Sequence, residues 1–190
     1  MKKYKPLLYE NTFSIPSYMR FAGSKFKPYE QLLFASAIDF YLEHLIGSKR
    51  HSIKLRIIPK DNLMKGTFAN VLLTAEAMNN HIFDLNINRN AGTKAMLHYL
   101  AHEITHVAQI VNKDLSTQDF KVLQWKGSDI VSNKEYSKLR QKDIDAYFAF
   151  PHEKEAEENF KHLPELYLKS KEFKNLKGID PTLDLIVGTL

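Results

Sequence analysis

The chain has 190 residues, 44% of them hydrophobic and none of them cysteine, and it carries a formal charge of +5 with a pI of about 9.2. That length fits one domain with a real core, and no run reaches the roughly 18 apolar residues of a membrane helix, so no membrane partner is expected. Without cysteine there is no disulfide, thiol nucleophile or thiolate-held metal, so any metal must be bound by histidines and carboxylates.

The first ten residues, "MKKYKPLLYE", are basic but lack a continuous apolar stretch and a small-residue cleavage site. They read as a retained segment of a cytoplasmic protein. "YEQLLFASAIDFYLEHLI" (29–46) reads as an amphipathic helix stopped by Gly47. In "SIKLRII", Ile53, Leu55 and Ile57 alternate with Lys54 and Arg56, the pattern of a half-buried strand. "TFANVLLT" (67–74) is a second strand candidate. "HIFDLNIN" (81–88) is a third, with Phe83, Leu85 and Ile87 on one face. A long helix then runs from about Thr93 to Asn112. A polar loop region follows with the only tryptophan, Trp125, read as core or as a loop anchor, and mostly helical sequence continues to about residue 175. The tail "DPTLDLIVGTL" carries no assignable pattern. The whole divides into a helical part (1–50), a sheet with its helix (51–112) and a helical C-terminal part (113–190), an α+β arrangement within one domain.

The long helix contains "LAHEITHVAQ" (100–109). At 100° per residue, Met96, Leu97, Leu100, Ile104, Val107, Ala108 and Val111 fall within about 120° of one another and form a core stripe. His98, His102, Thr105, His106 and Gln109 share the opposite side, with no Lys or Arg between Tyr99 and Val111. A face rich in imidazole and poor in long cations suits the floor of a cleft better than open solvent. His102 and His106 are one turn apart, so both rings can reach one ion. Glu103 points aside, where it can take a proton from water without being a ligand. This H-E-x-x-H spacing arises by chance in roughly 2% of sequences of this composition, so its setting on a long amphipathic helix matters. His98 lies about 12 Å of helix rise from His106, too far for both to bind one ion. It reads as a wall or hydrogen-bonded residue.

A catalytic zinc takes three protein ligands. Candidates for the third lie in "YFAFPHEKEAEENF" (147–160), where Pro151 is placed to start a helix. Glu153 and Glu155 point about 200° apart on such a helix, so only one can face the metal. His152 is a further candidate.

"LAHEITHVAQ", "LQWKGSD" and a tyrosine followed by "PHEKEA" together resemble a family of small metallopeptidases common in bacteriophage genomes. Its pattern is H-E-x-x-H-V-x-Q, then W-x-G, then Y-x-x-x-P-W-E-x-E-A. The likeness spans about Ala91 to Glu158 and departs at His152, where the family has Trp. More distantly the layout resembles SprT-like and gluzincin-type minimal proteases. The resemblance implies a zincin-like fold, with a twisted sheet packed on helices, an edge strand above the histidine helix and the third ligand on a later helix. It maps that ligand onto Glu155, the glutamate before a small residue (Ala156), with Glu153 and His152 as alternatives. It gives Tyr147 or His152 a role at the oxyanion, with a packed aromatic as the plainer reading of Tyr147. Gln109, about one turn past His106, is placed to partner a ligand. It implies Zn2+, a protein or peptide substrate and a phage protein in its host's cytoplasm.

The expected chemistry is hydrolysis of a peptide bond. Zinc lowers the pKa of a bound water toward 7, and Glu103 takes its proton and passes it to the leaving amine. Substrate would lie extended along a strand edge near Phe68–Leu73. The rival reading is a non-catalytic metal-binding module whose basic surface, Lys2, Lys3, Lys5 and "KHLPELYLKSKEFKNLKG" (161–178), associates weakly with nucleic acid.

Overall fold

A computed structural model describes residues 14–23, 26–61, 63, 67–88, 91–180 and 183. The basic N-terminal segment and nearly all of the unassigned tail lie outside them.

Strands β1 (Met19–Phe21), β2 (Lys54–Lys60), β3 (Ala69–Val71) and β4 (Ile82–Asn88) form one sheet in the order β1-β2-β4-β3. β1, β2 and β4 are parallel, and β3 closes the edge antiparallel to β4. The alternation expected of β2 and β4 holds, with Leu55, Ile57, Phe83, Leu85 and Ile87 all buried. On the outer face Arg56 sits opposite Asp84 and donates to it from Nη2 at 2.9 Å. The second strand candidate is only three residues long. Thr74, expected as strand, instead caps helix α2 (Ala75–Asn80) by accepting from the Ala77 N–H at 3.1 Å.

Helix α1 (Pro28–Ile46) differs from the amphipathic expectation. Leu33 through Ile38, Tyr41 and Leu42 are all buried. The reason is that α1 packs at once against α3 (Thr93–Val111), α6 (Pro151–Lys169) and α7 (Lys171–Ile179). A helix covered on several sides needs no polar stripe.

Helix α3 carries the histidines. Its expected core stripe, Met96 through Val111, is buried throughout. Its polar side is partly covered too, since Thr105, His106 and Gln109 are buried, the last two against the first turn of α6.

The polar loop region is corrected to a second sheet. β5 (Leu115–Gln118), β6 (Val122–Trp125) and β7 (Ser128–Ser132) form an antiparallel meander. Each strand has four or five residues, and only Leu115 and Leu123 are fully inside. That is too little apolar content for a period of two to register. The β6–β7 turn places Lys126 (φ 50°) and Gly127 (φ 80°) in the left-handed region that a two-residue hairpin requires. Trp125 lies on β6, half-buried against the core. The expected helices follow as α4 (Asn133–Lys142), α5 (Ile144–Phe148), α6 and α7. The architecture is therefore mixed α+β. Among the described residues no helix is long and apolar enough to cross a membrane.

Candidate metal centre

Two helices bring metal-binding chemistry to one point. α3 supplies His102 and His106, one turn apart. Their Nε2 atoms stand 3.2 Å from each other. The first turn of α6 supplies Glu153, whose Oε2 lies 3.3 Å from His102 Nε2 and whose Oε1 lies 3.6 Å from His106 Nε2. Ligand atoms 2.0–2.1 Å from a tetrahedral zinc lie about 3.4 Å apart, so this spacing fits such an ion. Glu153 Oε2 is buried without a hydrogen-bond donor, an open valence that a cation would fill. Among the described residues these three form the one group of histidines and acids close enough to hold a metal.

The third member of the cluster is Glu153, where the sequence resemblance pointed to Glu155. The inner face of α6 is a stripe in which Ala156, Leu163 and Tyr167 are buried. Extended back by three residues from Ala156, that stripe reaches Glu153, which is 1% exposed. Glu155 comes from the flank of the same helix and binds a supporting residue. Gln109 Nε2 donates to Glu155 Oε2 at 2.7 Å and to the His152 carbonyl at 2.9 Å. Those two acceptors fix which way the Gln109 amide faces. Its Oε1 therefore turns to His106 Nδ1 at 2.9 Å. An amide oxygen only accepts, so Nδ1 carries a hydrogen and Nε2 is the nitrogen left for the centre. Gln109 thus supports a candidate ligand, as its place one turn past His106 suggested.

The far oxygen of Glu153 is held by two phenols. Tyr136 on α4 and Tyr147 on α5 both donate to Oε1, the latter at 2.5 Å. Burial first, and then the Glu153 charge, raises both phenols far above the ordinary tyrosine range. Tyr147 therefore spends its proton on Glu153 here, and its packed, buried ring agrees with the plainer of its two sequence readings. Tyr136 has no signal in the sequence, because nothing in "NKEYSKL" marks a tyrosine that meets a glutamate 17 residues on.

His152 is no member of the triad. It is 1% exposed and sits among the rings of Trp125, Tyr136 and Phe150. Its Nε2 lies 3.0 Å from the Tyr136 hydroxyl. Burial lowers its pKa to about 4, so at neutral pH it is an uncharged aromatic ring.

Charge at the centre is tightly opposed. Burial pushes Glu153 up, but His106 and His102 more than offset it and hold the carboxyl far below its usual range. Burial pulls His106 down, but Glu153 and then Glu103 outweigh it, and its pKa rises to about 9. Glu103 is buried and its pKa is raised by that burial, with both histidines opposing. Its Oε2 accepts from the Val71 N–H of edge strand β3 at 2.8 Å. A cleft of about 770 Å³ opens onto these residues between β3, α3, α4 and α5.

No family model, no curated protein and no solved structure matches the chain.

Proposed function

We propose that the chain is a zinc-dependent peptidase of zincin-like architecture. The observation that carries this reading is the His102–His106–Glu153 triad, spaced for a tetrahedral ion beside a second buried glutamate and an open cleft. His102 and His106 would hold zinc through Nε2 and Glu153 through Oε2. When bound, the ion supplies an electrophile that acidifies water to a pKa of about 7 and polarises a carbonyl. Glu103 is the base. Its burial raises its proton affinity toward that of such a water, and it returns the proton to the leaving amine. Gln109 would fix the His106 tautomer with zinc bound, and Tyr136 and Tyr147 hold Glu153 through Oε1 and leave Oε2, which has no donor, for the ion. β3 offers an edge along which an extended peptide can pair beside Glu103.

The expected behaviour of Glu103→Gln separates base from ligand. The variant should keep its zinc and lose at least about 100-fold in hydrolysis of a denatured protein substrate. Undiminished hydrolysis in that variant would sink the mechanism.

A second reading rests on the same distances. An imidazolium at His106 and the Glu153 carboxylate pair as ions without any metal, which would make the cluster a buried structural pair in a binding module. Metal analysis distinguishes the two.

A further inference from the structure

The cleft that leads to the triad has two apolar walls and one strong cation. Phe68 stacks on Tyr99 at 4.7 Å between ring centres, and Phe160 meets Tyr99 at 5.4 Å. On the other side α5 presents Ile144 and Phe148, which are 50% and 38% exposed. Among the described residues Arg140, on the last turn of α4, is the only lysine or arginine that lines the space. Arginines in half-buried positions commonly pair with a carboxylate, yet among the described residues Arg140 forms no ion pair. Its guanidinium rests over the Tyr147 ring, 5.8 Å from the ring centre, and Nη2 donates weakly to the Thr67 hydroxyl at 3.4 Å. These contacts orient the planar fork and leave most of its five donors unmatched.

We infer that Arg140 is a recognition site for a substrate carboxylate. The inference rests on the peptidase reading and names the class of peptide it would take, one with an acidic group near the cleaved bond and bulky apolar side groups beside it. The placement gives a register. The ring beneath Arg140 carries the hydroxyl that binds Glu153, so the guanidinium lies within about 12 Å of the triad, no more than three or four residues of extended peptide. Thr67 stands just before β3, so a peptide paired along that edge passes the guanidinium. The planar fork matches a carboxylate with two parallel hydrogen bonds, which a lysine would not. The side group of Asp or Glu and the C-terminus of a peptide present the same chemistry.

The test is digestion of a diverse peptide mixture by the zinc-loaded protein, with cleavage sites read by mass spectrometry. We expect Asp or Glu enriched at least about 10-fold at one fixed position within four residues of the cut, or cuts confined to that distance from C-termini. The first pattern assigns the carboxylate of an acidic residue and the second a terminal one. Arg140→Gln should flatten the enrichment, and Arg140→Glu should shift it to Lys and Arg at the same position, a reversal that a structural role for Arg140 would not produce. Cleavage with no acidic preference, or with a preference unchanged in both variants, overturns this inference and leaves the peptidase reading standing. Bound zinc with no cleavage of any peptide overturns both.

Discussion

Glu153 is buried with Oε1 claimed by two phenols and 3.6 Å from His106 Nε2, and Oε2 facing His102. Without a metal, the charge that balances it is a proton on His106, whose pKa is raised to about 9 from 6.5. A raised histidine stabilises the fold fully below its unfolded value and loses that contribution as pH climbs through its folded value. The metal-free protein should therefore lose thermal stability between pH 6.5 and 9. Zinc displaces that proton, so the gain in Tm on adding zinc should grow across the same interval. Thermal unfolding with chelator and with zinc at several pH values checks this, and parallel curves would contradict it. His102, Glu103 and His106 were legible from spacing alone, because i, i+4 fixes two side groups on one helix face. Glu153 was legible only as one of several candidates. The rule of the small residue after the ligand chose Glu155, whereas the inner stripe of α6 through Ala156, Leu163 and Tyr167 selects Glu153. Tyr136 had no local signal, since only folding brings α4 to α6.

The helices α3 and α6 are joined by a bond that their sequences explain together. Pro164 lies inside α6 and has no N–H, so the carbonyl four residues earlier, at Phe160, loses its helical partner. His98 on α3 takes it, with Nδ1 at 2.8 Å, and its ring lies against Phe160. This is why His98 stands on the histidine face without joining the triad. His98→Ala should cost about 1–3 kcal/mol, the penalty of an unsatisfied carbonyl, measured by urea unfolding, with zinc content unchanged. Loss of zinc in that variant would instead place His98 at the centre. Elements with strong periodicity, β2, β4 and α3, were readable. The β5–β7 meander was not, because its strands are short and its turns place Phe120 and Lys126 at positive φ, residue types that rarely announce a turn. The continuous burial of α1 from Leu33 to Ile38 was hidden as well, since a sequence does not say how many neighbours a helix will have.

At the scale of the molecule, the sheet and the helices serve one arrangement. α3 forms the floor, β3 stands over it and touches Glu103, α6 brings Glu153, and α4 and α5 hold Glu153 through their tyrosines. The candidate centre is thus assembled from elements between Val71 and Glu153, and no single segment contains it. The central claim is that this arrangement holds a zinc ion through Glu153. Elemental analysis of the purified wild type, Glu153→Ala and Glu155→Ala under zinc-replete conditions tests it directly. The expected result is about one zinc per molecule in wild type, little in Glu153→Ala, and retention in Glu155→Ala with at most about 10–100-fold weaker affinity through the loosened Gln109. A wild type without stoichiometric zinc, or zinc that persists in Glu153→Ala and vanishes in Glu155→Ala, would contradict it.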